Sequence, residues 1–82
     1  MSINIHEFSE RFSETYDFLY DSEDRVAGFD EAVDAFDEYL AKDIQGFKAF
    51  VAEFSKYRHD IISSDREAAA FMFVLEEMGA LV

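Results

Sequence analysis

One stretch of the chain is apolar without interruption: Ala68-Ala69-Ala70-Phe71-Met72-Phe73-Val74-Leu75. Its alanines, methionine and leucine favour a helix over a buried strand. Ser64 and Glu67 have the spacing of a helix-starting capping box, and Gly79 is suited to end a helix in a left-handed conformation. We therefore predict a helix over about residues 65 to 78. A helix that is apolar on every side must be covered on every side, so other helices are expected to surround it.

Upstream of this segment, apolar side chains recur every three or four residues, as in amphipathic helices. The first helix is expected to start after Asn4, its N-cap, with a stripe formed by Ile5, Phe8, Phe12, Tyr16 and Leu19. Residues 21–28 break the pattern and are predicted to form a loop or irregular turn.

A second helix is predicted over about Phe29 to Lys42, and a third over about Ile44 to Ile62 with Asp43 as its cap. The apolar stripe of the third helix is Phe47, Phe50, Val51, Phe54, Tyr57 and Ile61. The expected fold class is therefore all-α, a compact bundle of about four helices around a hydrophobic C-terminal helix.

Length and composition limit the possible architectures. With 82 residues, half of them hydrophobic and 17% of them aromatic, the chain is expected to fold as a single domain over residues 1–82. It has no cysteine, which excludes disulfides and thiolate metal sites. The N-terminus lacks the basic and apolar regions of a signal peptide, and the apolar run is too short to span a bilayer. A cytoplasmic protein is the expectation.

Charge is the most unusual property of the sequence. The net charge is -12, and residues 1–45 hold thirteen acids but only three bases. Such a field repels nucleic acid and anionic membranes and attracts basic protein surfaces. We therefore expect no direct nucleic-acid or membrane binding.

The acids lie on the predicted polar faces of the first two helices. On the first helix, five carboxylates at three- and four-residue spacing would form a row about 21 Å long. The residues that we expect to contact a partner are Glu10, Glu14, Asp17 and Asp21 on the first helix, and Asp30, Asp34, Asp37 and Glu38 on the second.

Catalytic and cofactor motifs do not fit the sequence. An EF-hand register with Gly28 at its sixth position places Arg25 where an oxygen ligand is required. Neither His6 nor His59 follows a glutamate by three residues, as a di-metal bundle requires, and adjacent His59 and Asp60 would point in different directions on a helix. We predict a non-enzymatic protein with no catalytic residue, no metal and no cofactor.

In size, in acidity and in the lack of motifs, the chain resembles small acidic phage-type inhibitors of host defence, including anti-restriction and anti-CRISPR proteins that mimic DNA. This resemblance covers composition along the whole chain and carries over no functional residue. It implies binding and inhibition of a nucleic-acid-binding protein or defence complex through DNA-like rows of carboxylates.

Two alternatives stay open. The acidity could serve only solubility or adaptation to high salt. The chain could also be a helical interaction module of the immunity, antitoxin or adaptor type, docking through aromatic residues or forming a homodimer. The candidate rings for such docking are Tyr16, Tyr20, Tyr39, Tyr57, Phe71 and Phe73.

Overall fold

A computed structural model describes residues 3–80; Met1, Ser2, Leu81 and Val82 lie outside the described residues. The described part of the chain contains four α-helices and no strand, which confirms the all-α prediction. The helices are α1 (Ile5–Ser22), α2 (Phe29–Lys42), α3 (Phe47–Arg58) and α4 (Asp65–Glu77). Short 3-10 turns, Glu23–Arg25 and Ile44–Gly46, precede α2 and α3.

Helix α4 has the ends that its sequence predicts. The Ser64 hydroxyl accepts a hydrogen bond from the Glu67 amide at 3.2 Å and donates one to the Glu67 carboxylate at 3.0 Å. At the other end Gly79 is left-handed (φ 72), its amide bonds the Glu76 carbonyl at 3.0 Å, and the Ala80 amide bonds the Leu75 carbonyl at 2.9 Å. This pair of bonds is a Schellman motif, which satisfies the last carbonyls of the helix.

The apolar run of α4 lies at the centre of the bundle, as predicted. Every residue from Ala68 to Leu75 is buried except Phe73, which is half-buried. Helices α1 and α2 pack along α4, and α3 reaches it through aromatic rings. Burial of this run against three helices provides the main hydrophobic stabilisation of the fold.

Helices α1 and α2 form where the sequence predicts them. The Asn4 side chain accepts a hydrogen bond from the Glu7 amide at 2.9 Å and caps α1. From the apolar stripe of α1, Phe8, Phe12 and Leu19 are buried. Helix α1 continues to Ser22 before the first 3-10 turn, so it extends slightly into the segment predicted as a loop.

The predicted start of α3 at Ile44 is wrong. The helix begins at Phe47, after the 3-10 turn Ile44–Gly46. The prediction of Asp43 as the cap of α3 is wrong too, because Gly46 occupies the N-cap position and Asp43 ends α2. The Asp43 carboxylate nevertheless accepts a hydrogen bond from the Lys48 amide at 3.0 Å across that turn.

The predicted end of α3 at Ile62 is wrong as well. His59 adopts a left-handed conformation (φ 57), and the Asp60 amide bonds the Ser55 carbonyl at 3.0 Å, which closes the helix at Arg58. Because the chain has left the helix by Ile61, that side chain is 75% exposed instead of buried in the α3 stripe. Tyr57 is also exposed, at 44%.

Candidate functional site

All eight carboxylates that the sequence predicts as partner-binding residues are exposed. They belong to α1 and α2 and lie off the buried stripe of each helix. This placement makes them accessible to another molecule. The eight residues are Glu10, Glu14, Asp17, Asp21, Asp30, Asp34, Asp37 and Glu38.

The α1 row faces away from the core. Its members are spaced by four, three and four residues, so they follow one side of the helix and span about 16 Å from Glu10 to Asp21. Glu10 contacts His6, with 2.9 Å between Oε1 and Nε2. The other ring nitrogen of His6 lies 2.7 Å from the Tyr57 hydroxyl, which links the start of α1 to α3.

The α2 row occupies the outer side of its helix. Glu38 pairs with Lys42 in the last turn, at 2.9 Å between Oε1 and Nζ. Within residues 3–80, the other members of the row, Asp30, Asp34 and Asp37, have no ion pair within 4 Å. The same holds for Glu14, Asp17 and Asp21 on α1.

Two arginines, Arg11 and Arg66, are engaged away from the rows, whereas Arg25 donates a hydrogen bond to the backbone carbonyl of Asp21, at 3.2 Å, at the end of the α1 row. Arg11 pairs with Glu7 and Glu77, on the side of α1 that meets the end of α4. Arg66 makes two hydrogen bonds to the Glu23 carboxylate, at 2.8 and 3.3 Å. Because these bonds favour the charged guanidinium, Glu23 raises the pKa of Arg66, and this arginine stays cationic at any ordinary pH.

Arg58 is held inside the α1–α3 contact. Its guanidinium donates hydrogen bonds to the hydroxyls of Ser9 and Ser13, at 2.8 and 2.9 Å. It also lies over the rings of Phe12 and Phe54, at 5.0 and 5.6 Å from their centroids. This cationic side chain therefore contributes to the packing of two helices, and within residues 3–80 it forms no ion pair with the α1 row within 4 Å.

The structure does not merge the two rows into one packed cluster. Both α1 and α2 pack on α4, and between residues 3 and 80 they have no extensive contact with each other. The acidic surface therefore consists of two separate rows on a common scaffold. Over the same residues, no group of three or more potential ligands is placed to hold a metal ion.

Comparisons with protein-family models, curated proteins and solved structures give no match to the chain. No helix in the described part of the chain is both long and apolar enough to cross a membrane.

The aromatic residues of the alternative hypothesis have mixed positions. Tyr20 is 65% exposed beneath the Arg66 guanidinium, whereas Tyr16 and Tyr39 are half-buried against core rings. The interpretation of Phe71 as a surface ring is wrong, since it is fully buried. Its neighbour Phe73 is half-buried.

Sequence reasoning missed one exposed ring on α1. Phe18 is 62% exposed and follows Glu14 by four residues, so it lies beside the acidic row. Its position off the stripe of Phe12, Tyr16 and Leu19 is the signal that could have revealed it.

Proposed function

We propose that the protein binds and inhibits a nucleic-acid-binding protein or complex, presenting carboxylate rows to a basic surface that normally holds DNA. The observation that supports this proposal is the exposure of all eight carboxylates, six of which form no ion pair within 4 Å in residues 3–80. A protein of this kind acts by occupying a surface and needs no catalytic group.

The physical basis is the one that governs protein–DNA contacts. Basic grooves bind phosphate backbones largely through lysine and arginine, and rows of carboxylates offer the same sign of charge at similar spacing. Unpaired carboxylates keep their field in solution, whereas interleaved bases would cancel it. A field of this kind accelerates encounter with an oppositely charged partner.

The partner can be identified by capture on the immobilised protein from a host lysate at low salt. We expect the retained protein to bind nucleic acid, to be released by short duplex DNA, and to dissociate as salt is raised. Retention of a partner that resists both DNA and salt would contradict the proposal.

The first prediction concerns three of the unpaired carboxylates. The combined change Glu14→Lys, Asp17→Lys and Asp34→Lys should slow association with the captured partner by about tenfold or more at low salt, because long-range charge acts mainly on the encounter rate. Surface plasmon resonance at several salt concentrations measures this rate, and circular dichroism checks that the helices persist.

The matched control reverses three exposed acids outside the two rows and outside the contacts of the groove between α2 and α4: Asp24→Lys, Glu53→Lys and Asp65→Lys. Glu67 is unsuitable as a control because it completes the cap of α4. Both triple variants change the net charge equally, so only the position of the charges differs. Equal effects of the two variants would mean that the acidity acts as a general coat, and the proposed function would be wrong.

A second function is favoured by the exposed apolar side chains Phe18 and Ile61, at 62% and 75% exposure. A helical interaction module would dock through such anchors. It would hold its partner at high salt, because screening weakens exposed charge pairs and leaves apolar contacts intact. The salt dependence of capture therefore separates the two functions.

A further inference from the structure

A groove of about 730 Å³ lies between α2 and α4. It starts at the turn containing Ala27 and Gly28 and is lined by apolar side chains of both helices. These side chains are Ala32, Ala35, Met72 and Phe73. Its volume falls within the range of about 300 to 1,000 Å³ that is typical of binding pockets in proteins.

The groove exists because α4 is apolar on all sides and its neighbours do not cover all of it. On the α2 side the facing residues are alanines, which are too short to fill the space beside Phe73. Phe73 is consequently the one residue of the Ala68–Leu75 run that is not buried. An apolar side chain from another molecule would complete the burial of this ring.

The charged residues along the groove are all acidic. Glu31 of α2 and Glu76 of α4 are exposed, and within residues 3–80 neither has an ion pair within 4 Å. Glu77, also on the rim, pairs with Arg11. Among residues 3–80, no lysine or arginine lines the groove. The site therefore combines an apolar floor with a negatively charged border.

We infer that this groove docks a helical segment of a partner protein that carries apolar residues on one face and lysine or arginine beside them. The apolar face fits the floor, and the basic residues match Glu31 and Glu76. A second copy of this chain is a poor occupant, because its net charge of -12 would add repulsion to an acidic border.

The groove also adjoins the α2 acidic row. Glu31 precedes Asp34 by three residues, so the two side chains are neighbours on the helix surface. A basic partner held by the row could insert such a segment beside it. In this respect the inference rests on the proposed function, and it adds an apolar anchor that the carboxylate rows do not provide.

The experiment uses a fluorescently labelled helical peptide with leucines at positions i, i+3, i+4 and i+7 and lysines between them. We expect saturable binding to the full-length protein by fluorescence anisotropy, with amide NMR shifts concentrated at Ala32, Ala35, Met72 and Phe73. A peptide of equal charge with serines in place of the leucines should bind at least about tenfold more weakly, since it lacks the apolar anchor. Equal binding of the two peptides would overturn the inference.

Two double variants, each replacing two acids by lysines, test the acidic border of the groove. Glu31→Lys with Glu76→Lys should weaken binding of the leucine peptide by about tenfold or more, because the lysines then face like charges. The control, Glu14→Lys with Asp17→Lys, makes the same change in net charge on α1, away from the groove, and should have a much smaller effect. Equal weakening by the two pairs would show attraction to overall charge only and would contradict a groove site.

Sedimentation of the free protein tests whether a second copy of the chain occupies the groove. We expect a monomer, and a dimer that the leucine peptide dissociates would assign the groove to a second copy and overturn the inference. If the proposed function fails, the captured partner will resist release by duplex DNA. The leucine peptide will nevertheless bind the Glu31→Lys, Glu76→Lys variant more weakly than the Glu14→Lys, Asp17→Lys variant.

Discussion

Phe71 is the residue in which the packing of all four helices meets. Its ring lies 4.9 to 5.6 Å, between centroids, from those of Phe8, Phe36, Phe47, Phe50 and Phe54. These neighbours come from α1, α2 and α3, and each contact is edge-to-face. Such contacts add to the free energy of simple burial.

Replacement of this ring should be among the most costly single changes in the core. Phe71→Ala is expected to lower the free energy of unfolding by about 3 to 5 kcal/mol, because it removes buried contacts and leaves a cavity. Urea denaturation followed by circular dichroism measures the change.

Phe18→Ala is the matched control, since it removes the same ring from a position that is 62% exposed. It should change stability by no more than about 0.5 kcal/mol. A Phe71→Ala variant as stable as the Phe18→Ala variant would contradict the central role of α4.

At the scale of the helices, the sequence predicted the helix ends that a single residue determines by contacts within its own turn. Asn4, Ser64 and Gly79 all make the contacts expected from their spacing. The ends of α3 were missed because, besides the left-handed N-cap Gly46, they depend on non-glycine residues in left-handed conformations, Asp43, Gln45 and His59. Few such residues adopt positive φ, so local propensity does not indicate them.

The cap of α4 gives a prediction at this scale. Ser64→Ala should lower the free energy of unfolding by about 1 kcal/mol, because the Glu67 amide loses its acceptor. Thr15→Ala, in the interior of α1, is the control and should leave stability unchanged or raise it, since alanine is the better helix former. Thermal unfolding of both variants gives the comparison, and equal losses would show that Ser64 does not cap the helix.

The carboxylate rows were predictable because they depend on spacing within a single helix. Three- and four-residue spacing places Glu14 and Asp17 opposite the α1 stripe, and both are exposed. The α2–α4 groove was not predictable in the same way. It depends on how alanines of one helix face Phe73 of another, and that arrangement follows from tertiary packing, which sequence periodicity does not determine.

For the molecule as a whole, the large negative net charge produces repulsion among the acids. The net charge is -12, within a particle whose principal extents are 30 × 24 × 23 Å. The screening length is about 30 Å at 0.01 M salt and about 10 Å at 0.1 M. At low salt every carboxylate therefore repels acids across the full width of the protein, while at higher salt repulsion is confined to near neighbours.

Self-repulsion of this kind destabilises a compact state. We expect the melting temperature to rise as sodium chloride increases from about 0.01 to 0.1 M, the interval over which the screening length shrinks below the molecular width. Differential scanning calorimetry measures the change. The Glu14→Lys, Asp17→Lys, Asp34→Lys variant halves the net charge of -12, so its melting temperature should depend less on salt and lie higher at low salt. A melting temperature that falls with salt in the unmodified protein would show that its ion pairs, such as Arg66–Glu23, outweigh the repulsion among its acids.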